Sequence, residues 1–320
     1  MSTQKILVPV DFSDFSNKAL EYAIFWGREF GAEITLLHVN TLMHESLDFE
    51  QMVPACEELF ERQETHLREW LHEHRGRIHD HGVSLQVEVR RGVSAARVIL
   101  EFITEGHFDL VVMGTHGRSG LMHLVLGSVT EKVSRLSPVP VLTTHCDIDR
   151  FAIQEIVCPV DLSDHSRLLV ENALVIARAF QARLHLLYVR EQLNIDSMHW
   201  LTEEAKGYYR DFDREFDTQI QARLKSFLPD DGDVPVRLEV RTASHAYAEI
   251  VAYARAHNAD LVVMATRGLN RFEYFWSFGS HTERVVRRAP CPVLAMRWPE
   301  LERSDVEPMD IGETTQGDRI

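Results

Sequence analysis

The chain contains one sequence pattern twice, and this internal repeat constrains its fold more than any other feature. The segment KILVPVDFSDFS at 5–16 returns as EIVCPVDLSDHS at 155–166, an offset of 150 residues. The segment DLVVMG at 109–114 returns as DLVVMA at 260–265, an offset of 151 residues. Landmarks so far apart keep nearly the same offset only if a whole domain has been duplicated. The sequence therefore predicts two domains of one type.

The two copies set the predicted domain boundaries. We place domain 1 at residues 1–147 and domain 2 at residues 151–298, and 320 residues suffice for two domains with separate cores. Residues 299–320 differ from both, since seven acidic and two basic side chains stand among few apolar ones. This composition predicts a disordered acidic tail.

Charge and cysteine usage narrow the function classes. Asp and Glu number 49 against 34 Lys and Arg, a net charge of −15, which argues against a nucleic-acid binder and against docking on anionic membrane. The N-terminus lacks a signal-peptide pattern, and no apolar run approaches the ~20 residues that span a bilayer. We expect a cytoplasmic protein with reduced thiols, because the cysteines are widely separated: Cys56, Cys146, Cys158 and Cys291.

Strand and helix patterns alternate along each half. In domain 1 an apolar strand at 6–10 precedes a helix at 18–30, which Ser13 or Asp14 caps and Gly31 ends. The remaining predicted elements are strands at 34–39, 85–89, 110–113 and 139–143, and helices within 45–79, 94–105 and 128–136. This alternation predicts an α/β fold with a parallel, doubly wound sheet, whose ligands bind at the carboxyl ends of the strands.

A glycine pattern follows the fourth strand. Gly114 and Gly117 are succeeded by Gly127 and Ser128, which begin a predicted helix. Glycine lets backbone amides approach a phosphate closely, and a helix N-terminus favours an anion. The alternative interpretation is that these glycines only turn a loop. Two further strand ends favour nucleotide binding: a carboxylate at Asp11 could hold ribose or adenine, and the backbone of Val39 could pair with an adenine edge. The alternative for Asp11 is a helix cap.

The Val-Asp pair that ends the first strand, with Gly-x2-Gly-x9-Gly-Ser, resembles the universal stress protein (UspA-like) family in its tandem form, over about residues 4–297. The resemblance implies two Rossmann-like (adenine nucleotide alpha hydrolase-like) domains, each with a five-stranded parallel sheet flanked by helices. It also implies an ATP site, with Mg²⁺ as an open question. Members of the family commonly pair through the last strand of each domain, so we expect the two halves to pair. The implied ATP-site residues are Pro9, Val10, Asp11, Val39, Gly114, Gly117, Arg118, Gly127, Ser128 and Val129.

Domain 2 departs from this pattern. Ala265 replaces the first glycine, ten residues instead of nine separate Gly268 from Gly279, and the insert at 269–278 is rich in aromatic residues. We also align Thr242 with Gly92. These changes predict an impaired second site, whose counterpart residues are Asp161, Val189, Gly268, Gly279 and Ser280.

Two histidine features leave alternatives open. The run at 72–81 contains four histidines, which suits either a zinc site or, as we favour, a solvated helix end. His116, inside the glycine pattern, either contacts a phosphate or is simply exposed.

The predicted function is an ATP-binding, nucleotide-responsive module of the stress response with an unidentified protein partner. The alternatives are a slow ATPase or autokinase, with Ser128 or Thr130 as phosphate acceptor, and a scaffold that has lost nucleotide binding. The sequence lacks a P-loop, a Gly-x-Gly-x-x-Gly after the first strand, and a Gly-x-Ser-x-Gly elbow. No catalytic or metal-binding residue is predicted, and dimerisation of the chain is left open.

Overall fold

The computed structural model describes residues 3–41, 62, 65, 69–70, 82–116, 126–145, 151–191, 202, 217–230, 232–266 and 280–297. The acidic tail, the histidine run at 72–81, the aromatic insert at 269–278, Cys56 and Cys146 lie outside these residues. So does nearly all of the helix predicted within 45–79, of which residues 62, 65, 69 and 70 are described and helical.

Strands and helices alternate in domain 1 as the sequence predicts. Ser13 is the N-cap of the first helix and accepts a hydrogen bond from the Ser16 amide, while Gly31 ends this helix in the left-handed region at φ 65°. The helix begins four residues before the predicted start because Ser13 caps it there. The elements are β1 Lys5–Val10, α1 Asp14–Phe30, β2 Glu33–Thr41, β3 Leu85–Gly92, α2 Ala95–Gly106, β4 Leu110–Gly114, α3 Ser128–Leu136 and β5 Val141–Thr144.

Domain 2 repeats the same order of elements. Ser163 caps its first helix, as Ser13 does in domain 1, by accepting a hydrogen bond from the Ser166 amide. Residues 217–225 form a further helical segment before β8. The elements are β6 Glu155–Val160, α4 Asp164–Ala179, β7 Arg183–Glu191, β8 Val236–Ala243, α5 Ala246–Ala256, β9 Leu261–Ala265, α6 Ser280–Arg288 and β10 Val293–Met296.

The ten strands form one continuous sheet in the order β3-β2-β1-β4-β5-β10-β9-β6-β7-β8. Each half contributes five parallel strands, as predicted, and the expected pairing of the last strand of each half joins them into one ten-stranded sheet. The halves join where β5 and β10 pair antiparallel, with Thr143 opposite Val293 and Val141 opposite Ala295. The pairing satisfies backbone groups that would otherwise be exposed along two apolar edge strands.

The two faces of the sheet are packed differently. On one face a single hydrophobic cluster extends from Ile6 in domain 1 to Ile156 in domain 2. Aromatic rings bridge the domains there: Phe180 of domain 2 stacks on Phe25 at 5.3 Å and meets the edge of Trp26 at 5.3 Å. On the other face each domain has a cluster of its own, and that of domain 2 also contains Leu126 of domain 1. The strongest apolar link between the domains is therefore on the α1 side.

Two of the four cysteines, Cys158 and Cys291, are buried as free thiols, and burial raises the pKa of both. Their position in the core is as expected for these two. No helix among the described residues combines the length and the apolar character that a membrane crossing requires.

Candidate functional site

Three strand ends converge at one edge of domain 1. Strand β1 lies between β2 and β4 and runs parallel to both, so all three carboxyl ends face the same crevice. Asp11 follows β1, Val39 lies near the end of β2 opposite Arg90 of β3, and Gly114 ends β4. The structure thus brings together the strand-end residues that the sequence singled out in domain 1. Pro9 and Val10, at the end of β1, pair in register with Leu37 and His38.

Asp11 organises the turn between β1 and α1. Its Oδ1 accepts hydrogen bonds from the Ser13 amide at 3.1 Å and from the Ser13 hydroxyl at 2.6 Å. Ser13 in turn caps the helix, so Asp11 supports the cap without being the cap itself. A partly buried carboxylate is therefore fixed at the mouth of the crevice by the helix that starts beside it.

The same turn contains an uncommon backbone conformation. Phe12 adopts φ 64°, which is costly for a bulky side chain. Its ring lies 4.6 Å from the ring of His38, whose Nδ1 donates to the Val10 carbonyl oxygen at 2.8 Å. His38 is buried, and sequence reasoning missed it because one histidine in an apolar strand gives no signal of its own. Together these contacts hold the chain that carries Asp11.

Gly114 is required by the packing of α1 against β4. A Cβ placed on Gly114 would lie 2.7 Å from the Cβ of Phe15 and 2.8 Å from its carbonyl oxygen. Such distances force a shift of backbone, because two of the three nearest atoms, the carbonyl oxygen and carbon of Phe15, are backbone atoms. The glycine thus allows α1 to approach the end of β4, which is a role additional to any contact with phosphate.

Helix α3 begins with its first turn directed at this edge. The Gly127 amide donates to the Thr115 carbonyl oxygen at 2.9 Å, and the buried Thr130 hydroxyl donates to the Gly114 carbonyl oxygen at 2.8 Å. Because the N-cap Gly127 has no side chain to accept from the first turn, the amides of Ser128 and Val129 keep their capacity for an anion. The Ser128 side chain is exposed.

Two histidines flank Thr115 at the end of β4. The His116 Nδ1 lies 3.1 Å from the Thr115 hydroxyl, which is 3.2 Å from Nδ1 of His145. The His116 ring also lies 5.0 Å from the ring of Phe15. Of the two interpretations of His116, simple exposure is wrong, because the side chain is partly buried against α1. His145 carried no signal in the sequence and reaches this position only because β5 lies beside β4.

Domain 2 reproduces the first turn with one difference. Asp161 Oδ1 accepts from the Ser163 amide and hydroxyl and also from the Ser166 hydroxyl at 2.7 Å. In domain 1 the corresponding hydroxyl of Ser16 donates instead to the Ser13 carbonyl oxygen at 2.9 Å. Three donors of its own turn therefore bond to Asp161, including the Ser166 hydroxyl, whereas the corresponding Ser16 hydroxyl does not donate to Asp11.

Charged side chains mark the end of β7 in the second crevice. Glu191 accepts a hydrogen bond from the Ala246 amide at 2.6 Å, and its Oε1 lies 3.9 Å from Nε2 of His281 on α6. Arg190 donates to the Thr242 hydroxyl at 3.0 Å and lies 3.4 Å from Asp217. A carboxylate already occupies a helix N-terminus there, which makes the crevice less favourable for phosphate.

The strand register corrects one alignment. Thr41 lies opposite Gly92 in domain 1, and Glu191 lies opposite Ala243 in domain 2. Ala243 therefore occupies the position of Gly92, and the alignment of Thr242 with Gly92 is wrong by one residue.

The remaining predicted residues divide between described and undescribed parts of the chain. Val129 lies in the first turn of α3, Val189 pairs with Arg241, and Ser280 begins α6. Gly117, Arg118, Gly268 and Gly279 lie outside the described residues. Within the described ranges, no three histidine, cysteine or acidic side chains are grouped as a metal site would require.

The fold and the crevice define a tandem α/β protein with a candidate anion site in its first half. The model of the universal stress protein family matches residues 2–145 and again residues 152–297. A universal stress protein of Methanocaldococcus jannaschii is 34% identical over 140 residues, covering 43% of this chain and 80% of that protein. A universal stress protein of Mycolicibacterium smegmatis is 25% identical over 305 residues, covering 91% of this chain and 96% of that protein.

A solved structure resembles the whole chain. The crystal structure of a universal stress protein from Archaeoglobus fulgidus superposes with a TM-score of 0.65 at 23% identity, covering 92% of this chain and 97% of that one. At this identity the likeness establishes the fold alone. The twofold match of the family model, however, covers nearly all of the chain, and this chain belongs to the universal stress protein family.

Proposed function

We propose that domain 1 binds ATP in the crevice between the ends of β1, β2 and β4, and that the chain acts as a nucleotide-responsive module of the stress response. The observation that carries this proposal is that a fixed carboxylate, Asp11, follows β1, while the helix that begins at Ser128 without a side-chain cap is bonded to the end of the neighbouring strand β4. A nucleoside triphosphate has complementary groups at its two ends, namely hydroxyls that donate and phosphates that accept.

Each part of the crevice then has a role. Asp11 accepts from the ribose hydroxyls or the adenine amino group, and the backbone of Val39 pairs with the adenine edge. The amides at the start of α3, the Ser128 hydroxyl and the undescribed Gly117 and Arg118 bind the phosphates. Thr130 and Phe15 act indirectly, because they set the distance between α3, β4 and α1.

We further propose that domain 2 does not bind ATP with comparable affinity. Its crevice places the Glu191 carboxylate on the first amide of α5 and near α6, where an incoming phosphate would meet a negative charge. Ala265 replaces the glycine at the end of β9, and Asp161 is engaged by three donors of its own turn. These three differences act in the same direction.

The output of the site is proposed to be a change in a surface that a protein partner recognises in the cytoplasm, with no role for nucleic acid or membrane. The autokinase alternative finds little support at Thr130, since its hydroxyl is buried and donates to the Gly114 carbonyl oxygen. Ser128 is exposed and is the residue on which that alternative depends. Incubation with γ-labelled ATP decides this point, because labelling at Ser128 would replace binding by phosphoryl transfer as the output.

The test begins with protein purified without added nucleotide. Denaturation followed by liquid chromatography with mass spectrometry identifies and counts the released molecules, and we expect about one adenine nucleotide per chain. Calorimetric titration of the emptied protein with ATP, with and without Mg²⁺, then compares Asp11→Ala with its matched control Asp161→Ala. We expect an affinity loss of about ten-fold or more for the first variant and none for the second, since ten-fold corresponds to ~1.4 kcal/mol, a typical value for one charged hydrogen bond.

Three outcomes would contradict the proposal in different ways. Two nucleotides per chain would contradict the assignment of domain 2. Absence of nucleotide together with absence of ATP binding would leave the chain as a scaffold. Equal losses of ATP affinity for the two substitutions would mean that Asp11 acts only by stabilising its turn, since Asp161 stabilises the equivalent turn in the same way.

A further inference from the structure

Helix α3 belongs to domain 1 by sequence, yet the residue before its N-cap is buried in domain 2. Leu126 is 2% exposed and is part of a hydrophobic cluster whose other buried members among the described residues lie at 157–293. Helix α2 and the body of α3, through Val133, pack instead in a cluster whose members in the described ranges all belong to domain 1. The residue that leads into α3 is therefore anchored in domain 2, while the helix itself packs on domain 1.

The other end of α3 also contacts domain 2. Arg297, directly after β10, donates from Nη1 to the carbonyl oxygen of Leu136 at 3.2 Å. Leu136 is the last residue of α3, where carbonyl groups have no partner within the helix and the dipole is negative. A guanidinium at this position both satisfies a carbonyl and complements the dipole.

Only one residue, Gly127, separates the Leu126 anchor from Ser128, the first of the candidate phosphate amides. Gly127 donates to Thr115, and Ser128 starts the helix. A shift of Leu126 out of the cluster would move Gly127 with it, since consecutive residues are joined by a stiff peptide unit. Binding groups must keep their geometry within about 0.5 Å to remain effective, so a displacement of this kind is enough to weaken an anion site.

We infer that domain 2 holds helix α3 in position, with Leu126 and Arg297 as positioning residues for the nucleotide site of domain 1. The inference rests on the proposed function for the identity of the ligand, but the anchoring itself does not. It gives domain 2 a role that requires no ligand of its own. Because coupling is reciprocal, ATP bound in domain 1 also stabilises the pairing of the two domains.

The first experiment uses the full chain without nucleotide. Hydrogen–deuterium exchange is followed at the amides of Gly127 and Glu131, which donate to Thr115 and Gly127 respectively. We expect Leu126→Ala to accelerate their exchange about ten-fold, as for a locally loosened helix start. Arg297→Met keeps the aliphatic length and removes the donors, and we expect faster exchange in the last turn of α3. Leu169→Ala is the matched control, because Leu169 is 1% exposed in the cluster on the opposite face of the sheet.

The second experiment is calorimetric titration of the same variants with ATP. The inference is supported if Leu126→Ala shows faster exchange and an ATP affinity about five- to ten-fold lower. Leu169→Ala should change neither the exchange nor the affinity. Unchanged exchange in Leu126→Ala overturns the inference, whatever the nucleotide does, and so does faster exchange with unchanged ATP affinity. Faster exchange in a chain whose wild type binds no ATP supports the anchoring and overturns the proposed function instead.

Discussion

The hydroxyl of Thr130 donates to the carbonyl oxygen of Gly114 over 2.8 Å, and this bond joins the first turn of α3 to the end of β4. Domain 2 repeats it between Thr282 and Ala265, also at 2.8 Å. The repeated bond thus joins the helix start to the end of the preceding strand in both halves.

Substituting Thr130→Val removes the hydroxyl donor at nearly constant volume and leaves the buried Gly114 carbonyl oxygen without this hydrogen bond. We expect the free energy of unfolding to fall by about 1–2 kcal/mol, and the same for Thr282→Val. Only the first substitution should also weaken ATP binding, because it alone moves the amides of the proposed site. Denaturant titration and calorimetry measure the two effects, and equal ATP affinities for both variants would contradict the prediction.

Gly114→Ala tests the close approach of α1. The added Cβ would meet Phe15 backbone and side-chain atoms at 2.7–2.9 Å, so α1 must move away from β4. Overpacking of this kind costs about 1–3 kcal/mol. The reverse change in domain 2, Ala265→Gly, should cost at most about 1 kcal/mol, since it creates no clash. Thermal denaturation of both variants checks this order, and a Gly114→Ala protein as stable as wild type would be inconsistent with it.

A polar chain in domain 2 predicts a pH dependence of stability. His185 is 2% exposed, with Nε2 2.7 Å from Glu155 and Nδ1 2.8 Å from the Tyr253 hydroxyl, and burial lowers the pKa of its imidazole despite the neighbouring carboxylate. The unfolded chain therefore takes up this proton more readily than the folded one. The stability that His185 contributes is present above about pH 6.5 and is lost as the pH falls below it.

The measurement for His185 is the free energy of unfolding at several pH values between 7.5 and 5. One proton changes this free energy by at most about 1.4 kcal/mol per pH unit, and His185→Gln should reduce the slope by part of that amount. Thr35, which holds the corresponding position in domain 1, has no titratable group, so the effect belongs to domain 2. Identical slopes for wild type and variant would assign the pH dependence to other groups.

The aromatic contacts between the domains predict how cooperatively the chain unfolds. Phe180→Ala removes the contacts of the Phe180 ring with Phe25 and Trp26. We expect the free energy of unfolding to fall by about 3 kcal/mol, and two calorimetric transitions instead of one. Phe108→Ala, inside the cluster of domain 1, should lower the stability to a similar degree while the single transition is kept. Splitting in both variants or in neither would contradict a specific role of Phe180.

Much of the site could be predicted from short segments of sequence. The caps at Ser13 and Gly31, the strand ending before Asp11 and the helix starting at Ser128 all depend on neighbours within a few positions. Local hydrogen bonding and hydrophobic periodicity encode such features directly. The roles of Phe15 beside Gly114 and of His145 beside Thr115 could not be predicted, because each depends on where a distant segment packs.

By itself, the sequence determined the duplication and the alternation of strands and helices, and it located the strand ends that we propose as a binding site, since these follow from repeated local patterns and from the parallel order of the strands. Pairing of the halves through their last strands was expected from the family resemblance, and the structure shows it between β5 and β10. Only the tertiary structure decided that Leu126 enters the cluster of domain 2. The local sequence around a leucine that precedes a helix is the same whether the side chain packs on its own domain or on the neighbouring one. Its packing partner depends on the apolar surface between the paired domains, and that surface exists only once both have folded.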